Sequence, residues 1–546
     1  MKIPKNISNN LRFLVAEVGS QVSMLQDYLV EPSASITRRI LDRSGYAYNL
    51  MLRIHDGCHN LAIKSGESGP DAASLRAIES IATDLERTTG LTRECIQQLD
   101  QLKNRRCLGA GTCKSMLGRV ARGIDRIEQA IRRNDTGLAL KIGQVKPGLD
   151  KASKHLMKRY MADLKRKKHT EDLVAGLFVV HGIEQMGEAM LNISEAIISA
   201  NLGQPINIDR YHSLRASVEQ LDAANNCSDL VIESVAETRS GSGISGISAP
   251  GQENSGYLGI YKAGRKRKLR EERRGLKSWQ EIYPGLAPRI LSYHKSGQSA
   301  SLLIEHLAGQ TLEQIVLHEP SRLLGQARKQ LNRTLKKVWS ETRTDKPVSA
   351  AFMRQLSKRL EDVYTIHPEF RQDGCRICGE FVSSFGELLK KAHRLEAGIR
   401  APFSVYIHGD FNVDNIIYDP LERKINFIDL HRSRYMDYVQ DVSVFMVSNY
   451  RLQVFDAPLR RRILALTRDF YRFSASFARK SGDETFELRL ALGLARSFAT
   501  STRFILDKSL ARAMFLRARY LLEQVLAADP GEPGSYRVPV KEMFIG

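Results

Sequence analysis

The sequence predicts a multidomain chain: an all-α N-terminal part followed by an α+β part with a small β-rich lobe and a larger α-rich lobe. Three observations carry this expectation. The 546 residues exceed one ordinary core. From about residue 8 to 226, apolar residues recur at helical steps with almost no strand pattern. Near Asn226 the texture changes to β-rich runs broken by Gly and Ser.

Composition narrows the class. Hydrophobic residues at 42% and charged residues at 26% are those of a foldable globular chain, so the bulk is not expected to be disordered. A net charge of +21 attracts polyanions: nucleic acid, an anionic membrane face, phosphate-rich ligands or an acidic protein. Charge alone selects none of them. Seven cysteines, odd in number and irregular in spacing, argue against a disulfide framework. The N-terminus lacks a small-residue cleavage site, and the most apolar run, Val174 to Ile183, falls well short of the roughly 20 residues that span a bilayer. A cytoplasmic protein without a signal peptide or transmembrane segment is expected. Neither G-x-S-x-G nor H-E-x-x-H occurs, so hydrolase chemistry lacks support.

The elements follow in order. Leu173 to Ile198 shows the helical period, with Leu177, Val180, Ile183, Met186, Met190, Ile193 and Ile197 on one stripe. Breaks fall at Ser65–Pro70, Gly109–Thr112 and Asn201–Pro205. Asp84–Gly90 recurs loosely as Gly182–Glu188, about a hundred residues later, which suggests two helical units packing on one another. Asp229–Thr238 reads as a strand, Ser240–Ser248 as a Gly/Ser run, and Gly256–Lys262 as a strand ending in Lys262. Helical patterns return from about Leu269, and Ser301–Glu305 reads as a further strand. From about Ser321 the chain reads as helical, interrupted at Val405–Ile407 and Ile425–Ile428. The expected division is 1–226 and 227–546, the first with repeats at about 8–106 and 113–222, the second with lobes at about 227–308 and 309–530.

The strongest chemical signal is His408-Gly-Asp-Phe-Asn-Val-Asp-Asn415, followed by Ile425-Asn-Phe-Ile-Asp429. Phosphoryl transfer from ATP needs a carboxylate at the attacking hydroxyl and oxygen ligands for magnesium on the phosphates. Asp410 suits the hydroxyl, and Asn415 and Asp429 suit the metal, a hard environment with few carboxylates. His408 is expected to brace the loop rather than transfer protons. Upstream, Gly241, Gly243 and Gly246 in the Gly/Ser run could let backbone N–H groups approach phosphates, although such runs are more often linkers.

These residues resemble the catalytic loop and metal-binding Asp of the protein-kinase-like fold, in the wording of the aminoglycoside phosphotransferase and choline kinase group. Asp437-Tyr-Val-Gln-Asp441 looks like that group's D-P-x-x-D element. The resemblance spans about residues 230 to 520 and implies ATP and magnesium as cofactors, with a small-molecule hydroxyl as acceptor. It further implies that Lys262 contacts phosphate, that Glu272 (or its neighbour Glu271) pairs with that lysine, and that the backbone from Glu305 to Leu307 meets adenine. After Asp429 the sequence departs from the group's Trp and Glu, reading Leu430, His431, Arg432. A nucleotide-sensing regulator acting through protein partners is the second reading.

In the helical half, Glu184, Glu188, Asn192 and Glu195 share one helix face, either a cation-binding stripe or a solvated one. The wording Ile183–Glu195 resembles the signature of PhoU-type phosphate-signalling proteins, which implies tandem three-helix bundles, a second metal at Glu184 and Glu188, and a phosphate-signalling or transporter protein as partner. The first copy departs at Gly90 and Glu94, the second at Glu188. The basic runs Arg265–Lys268 and Lys165–Lys168 lack interleaved aromatics and read as solvated turns, so no specific nucleic-acid site is expected. Cys375-Arg-Ile-Cys378 and the looser pair Cys107 and Cys113 read as incidental thiols rather than a zinc site.

Overall fold

The computed structural model describes residues 4–64, 72–202, 206–208, 210–212, 214, 231–237, 243–248, 257, 259–296, 299–454, 456–529 and 532–545. The chain separates into two compact units, Met1–Glu253 and Asn254–Gly546. The division expected at 226/227 and the break at Ser65–Pro70 lie outside the described residues. Among the described residues no helix is long and apolar enough to cross a membrane.

The first unit is built of α1 (Lys5–Val30), α2 (Ala34–Leu41), α3 (Ser44–Lys64), α4 (Ala72–Asp100), α5 (Ala110–Ile124), α6 (Ile127–Arg133), α7 (Thr136–Gly143), α8 (Val145–Leu164) and α9 (Thr170–Asn201). The stripe read from the sequence faces the core: Val180, Ile183, Met186, Met190, Ile193 and Ile197 of α9 are all buried. Each such side chain contributes about 1.5–3 kcal/mol by leaving water. α9 packs on α4, α7 and α8, and α1 on α3, α4 and α5. The two copies of the repeat meet on α4 and α9. Asn192 donates to Asp84 at 3.2 Å and Arg87 to Gln185 at 2.8 Å. At Gly182 the helices approach so closely that a Cβ would lie 2.7 Å from Cys95 Sγ. Lys165–Lys168 form the exposed turn between α8 and α9. β1 (Val231–Glu237) and β2 (Gly243–Ser248) pair antiparallel.

In the second unit β3 (Gly259–Arg265), β5 (Ser299–Ile304) and β4 (Ile290–Ser296) form an antiparallel sheet in the order β3–β5–β4. α10 (Lys266–Ile282) packs on all three strands and buries Leu269, Leu276 and Trp279, the last against Tyr406 and Phe427. The basic run Arg265–Lys268 is therefore mostly helix rather than a turn, since Lys and Arg are good helix formers and the apolar spacing carries the helix back beyond Leu269. Lys262 likewise lies inside its strand, which runs three residues past it.

The α-rich part opens with β6 (Gln310–Thr311) and α11 (Leu312–His318), where Thr311 and Gln314 form a capping box. It continues through α12 (Ser321–Glu341), α13 (Phe352–Ile366), the hairpin β7 (Cys375–Ile377) and β8 (Glu380–Val382), and α14 (Phe385–Ala397). Cys375 and Cys378 are exposed in that hairpin. β9 (Val405–Ile407), β10 (Ile416–Asp419), β11 (Lys424–Phe427) and β12 (Arg434–Met436) follow, then α15 (Val439–Tyr450), α16 (Ala457–Lys480), α17 (Phe486–Ser501) and α18 (Lys508–Ala527). β10 pairs with β11 and β6, and β9 with β12. β7, β8, β10 and β12 are not among the strands read from the sequence; β7, β8 and most of β12 are exposed and carry no apolar run. α15 is buried all round, so its apolar pattern has no polar face. One continuous core joins α10 and the β3–β5–β4 sheet to α15–α18 and fixes the loops between β9 and β12.

Candidate active site

Two strand ends carry the polar groups. The chain leaves β9 at Ile407, turns through His408–Asn415, runs out along β10 and returns along β11 to Asp429. β10 and β11 pair from Ile416↔Phe427 to Asp419↔Lys424, which sets the end of the first loop beside the end of the second strand. Two hydrogen bonds lash the two together: His408 Nε2 donates to the Ile428 carbonyl at 2.9 Å, and the Ile428 N–H donates to the Asn415 carbonyl at 3.1 Å. Within the loop, Asn415 Nδ2 donates to the Asp410 carbonyl at 2.9 Å. His408 is 1% exposed, and its Nδ1 accepts from the Asp410 N–H at 3.3 Å. With one ring nitrogen donating and the other accepting, the imidazole is neutral, and burial drives its pKa down to about 4.

The turn at Gly409 has φ +84, and a Cβ there would stand 2.5 Å from the Arg432 carbonyl oxygen. Glycine is required by both the dihedral and the contact. Beneath the turn the buried Asp441, at the start of α15, accepts the N–H groups of His408 and Gly409, each at 2.8 Å. Burial pushes the Asp441 carboxyl up to about 7 against those two donors.

Lys262 and Glu272 come together. Lys262 stands opposite Leu302 in the sheet, and its Nζ lies 2.5 Å from Glu272 Oε1. Glu272 follows Leu269 by three residues and precedes Leu276 by four, so it points to the sheet, while neighbouring Glu271 is exposed. The structure thus selects Glu272. Burial works against the Lys262 ammonium, but the pull of Glu272 and then of Asp429 holds its pKa above the ordinary value. Asp429 takes φ +60, an uncommon conformation outside glycine. Burial works against its charge, but a hydrogen bond with His431 Nδ1 at 3.2 Å and the charge of Lys262 hold it well below the usual carboxylate range. α10 is seated on this segment: a Cβ at Gly275 would meet the Leu430 carbonyl oxygen at 2.0 Å, and Trp279 Nε1 donates to Ser433 Oγ at 2.8 Å.

Glu305 follows β5, and its carboxylate accepts from the Arg289 backbone N–H at 3.1 Å and from its Nε at 3.2 Å, with Leu307 half-buried two residues on. Gly243 and Gly246 are strand residues of β2, paired with Glu237 and Glu233, so the expected glycine-rich loop is shorter than Ser240–Gly246; Gly241 lies outside the described residues. In the first unit Ser153 donates to Glu184 at 3.2 Å, and Glu188 is paired with Lys146 at 3.4 Å. Among the described residues no three His, Cys, Asp or Glu side chains gather as a metal-holding group. Sequence reasoning gives no role to Asp441 or Arg432. The four-residue step from Asp437 to Asp441 is the signal for the first, and the departure at Leu430–Arg432 is the signal for the second.

A β-rich lobe carrying a paired lysine, followed by a helical lobe carrying the loop and strand-end carboxylates, is the arrangement of a protein-kinase-like fold. Residues 260–475 match the model of the phosphotransferase enzyme family. Among solved structures the chain is similar to an aminoglycoside-3'-phosphotransferase of type VIII (17% identity, 49% of this chain and 99% of that one, TM-score 0.30). It is also similar to an ethanolamine kinase of Plasmodium vivax (10% identity, 59% and 90%, TM-score 0.33). The N-terminal helical region is similar to the phosphate transport system regulatory protein PhoU from Streptococcus pneumoniae (16% identity, 37% and 96%, TM-score 0.34). No curated protein matches the chain in a sequence comparison.

Proposed function

We propose that residues 227–546 form an ATP-dependent phosphotransferase domain that passes the γ-phosphoryl group to a hydroxyl of a small molecule in the cytoplasm. The observation that carries this reading is the lashing of the 408–415 loop to the 425–429 strand, with the Lys262–Glu272 pair beside Asp429. Asp410 orients the acceptor hydroxyl and takes its proton. The hydroxyl oxygen bonds to the γ-phosphorus as the bond to the β,γ-bridging oxygen breaks, releasing ADP. Lys262, held by Glu272, grips phosphate, and the backbone from Glu305 to Leu307 receives adenine.

Asn415 and Asp429 suit magnesium by donor chemistry. The Asn415 amide commits its nitrogen to the Asp410 carbonyl and keeps its oxygen as an acceptor, and Asp429 is a carboxylate held ionised. These two residues would hold magnesium, which would supply charge neutralisation at the phosphate oxygens. His408 braces the loop, since a neutral buried ring committed at both nitrogens has no proton to exchange. The first unit, with its PhoU-like signature, acts as a regulatory module toward a phosphate-signalling protein.

Asp410→Ala tests the reading. Transfer falls by about 10²–10⁴ in kcat, while ATP binding persists, because the carboxylate acts on the acceptor. Equal turnover in variant and parent refutes the assignment. Truncation of residues 1–226 reads out regulation as a change in that turnover.

A further inference from the structure

The Asp410 carboxylate sits among arginines that nucleotide chemistry leaves unexplained. Arg432 donates from Nη1 to Asp410 Oδ1 at 3.1 Å. Arg496, on α17, is 4% exposed, yet its Nε and Nη2 find no acceptor among the described residues. Its guanidinium stands 5.5 Å from the ring centroid of Phe352. Arg503, in the turn after α17 (Thr502–Phe504), gives one nitrogen to Asp362 at 3.3 Å, and its Nε is also buried without an acceptor. Arg359 lies on α13, which packs on both α17 and that turn. Burial and then mutual repulsion depress these guanidinium groups, Arg496 to about 9, and Asp410 is a carboxylate that counters Arg359, Arg496 and Arg503 alike.

A buried guanidinium with unmet donors is costly, and a ligand anion is the partner that removes the cost. The carboxylates nearby leave the balance positive. Asp362 serves Arg503, Asp410 faces the reacting hydroxyl, and Asp441 has both oxygens committed to backbone N–H groups and is only partly ionised near neutrality.

We propose that the acceptor is itself an anion, a hydroxyl compound whose phosphate or carboxylate group docks on Arg359, Arg496 and Arg503 while its hydroxyl lies at Asp410. This rests on the phosphotransferase reading and names its substrate class. Arginine suits the task because its planar fork matches both oxyanions.

The test uses the full-length chain and ATP with matched sets of sugars and polyols, each as the neutral, amine-bearing, carboxylate-bearing and phosphate-bearing compound. An oxyanion member is expected to exceed its neutral and amine counterparts at least tenfold in kcat/KM, with the carboxylate and phosphate arms separating the two sources. Arg503→Gln raises KM for that acceptor about tenfold or more, the scale of one charge-assisted hydrogen bond, and leaves KM for ATP unchanged. Preference for the neutral or amine compounds, or a loss equal for ATP and acceptor, overturns the proposal. If no compound is phosphorylated, the phosphotransferase reading fails, and the anion site is then judged by binding alone. Sulfate must raise the melting temperature of the parent and of the surface control Lys336→Gln, but less that of Arg503→Gln. Equal shifts in all three overturn the site.

Discussion

Lys262→Met should separate what the buried ion pair does for stability from what it does for function. The lysine and Glu272 are 6% and 2% exposed, and their charged atoms are 2.5 Å apart. Removing the ammonium strands the glutamate in a site with almost no water. Breaking one side of such a pair costs about 3–5 kcal/mol. For a unit of this size each kcal/mol moves the midpoint by about 2–4 °C, so a fall of roughly 6–20 °C in Tm is expected. Replacing both partners, as Lys262→Met with Glu272→Leu, removes the stranded charge and should restore most of the stability, because desolvation offsets much of what a buried pair gains. Transfer should be absent in both variants, since the cation beside Asp429 is gone from each. Thermal melts of parent, two singles and the double give the cycle, and ATP turnover is measured on the same samples. A double variant as unstable as Lys262→Met refutes the stranded-charge argument, and turnover in the double near the parent's refutes the phosphate-binding role.

The remaining predictions use the same elements. His408, with its pKa lowered to about 4, stays neutral in the folded chain while the unfolded ring takes a proton below about 6.5. Its contribution is therefore complete above pH 6.5 and is lost as pH falls toward 4, by about 3 kcal/mol in total. Urea unfolding at pH 7.5 and 4.5 should show the gap between parent and His408→Asn narrowing in acid, and a constant gap contradicts the neutral ring. Gly409→Ala should lower stability by about 2 kcal/mol or more and abolish transfer, since the side chain meets both a positive φ and the Arg432 carbonyl. A Tm within a degree of the parent would show that the turn relaxes freely. Arg489→Leu should be among the most damaging changes in the second unit, at about 3–5 kcal/mol, because it leaves Asp437 and Asp483, each wholly buried at the side chain, without their cation. Expression and calorimetry check this, and Asp483→Asn should be milder.

Local features were legible in the chain and distant ones were not. The order of catalytic loop, strand and second Asp lies within 408–429, so spacing alone placed these groups together. The stripe on α9 was readable because one helix determines its own face. Glu271 and Glu272 could not be told apart, since the choice depends on which side of α10 meets the sheet. Of the short strands, β9 and β11 are buried, mostly apolar runs and could be read, whereas β7, β8 and most of β12 are exposed, carry no apolar run and are created by pairing across the sheet.

By itself the sequence determined that an all-α part precedes a kinase-like part and which side chains sit on the loop that would do the chemistry. Tertiary structure alone decided that Arg432 clasps Asp410 and that Arg496 of α17 and Arg503 of the turn beyond have buried donors left unmet. The physical reason is range. Backbone periodicity couples residues a few positions apart, whereas the field at a carboxylate is the sum of charges brought close by packing, and no spacing in the chain records it.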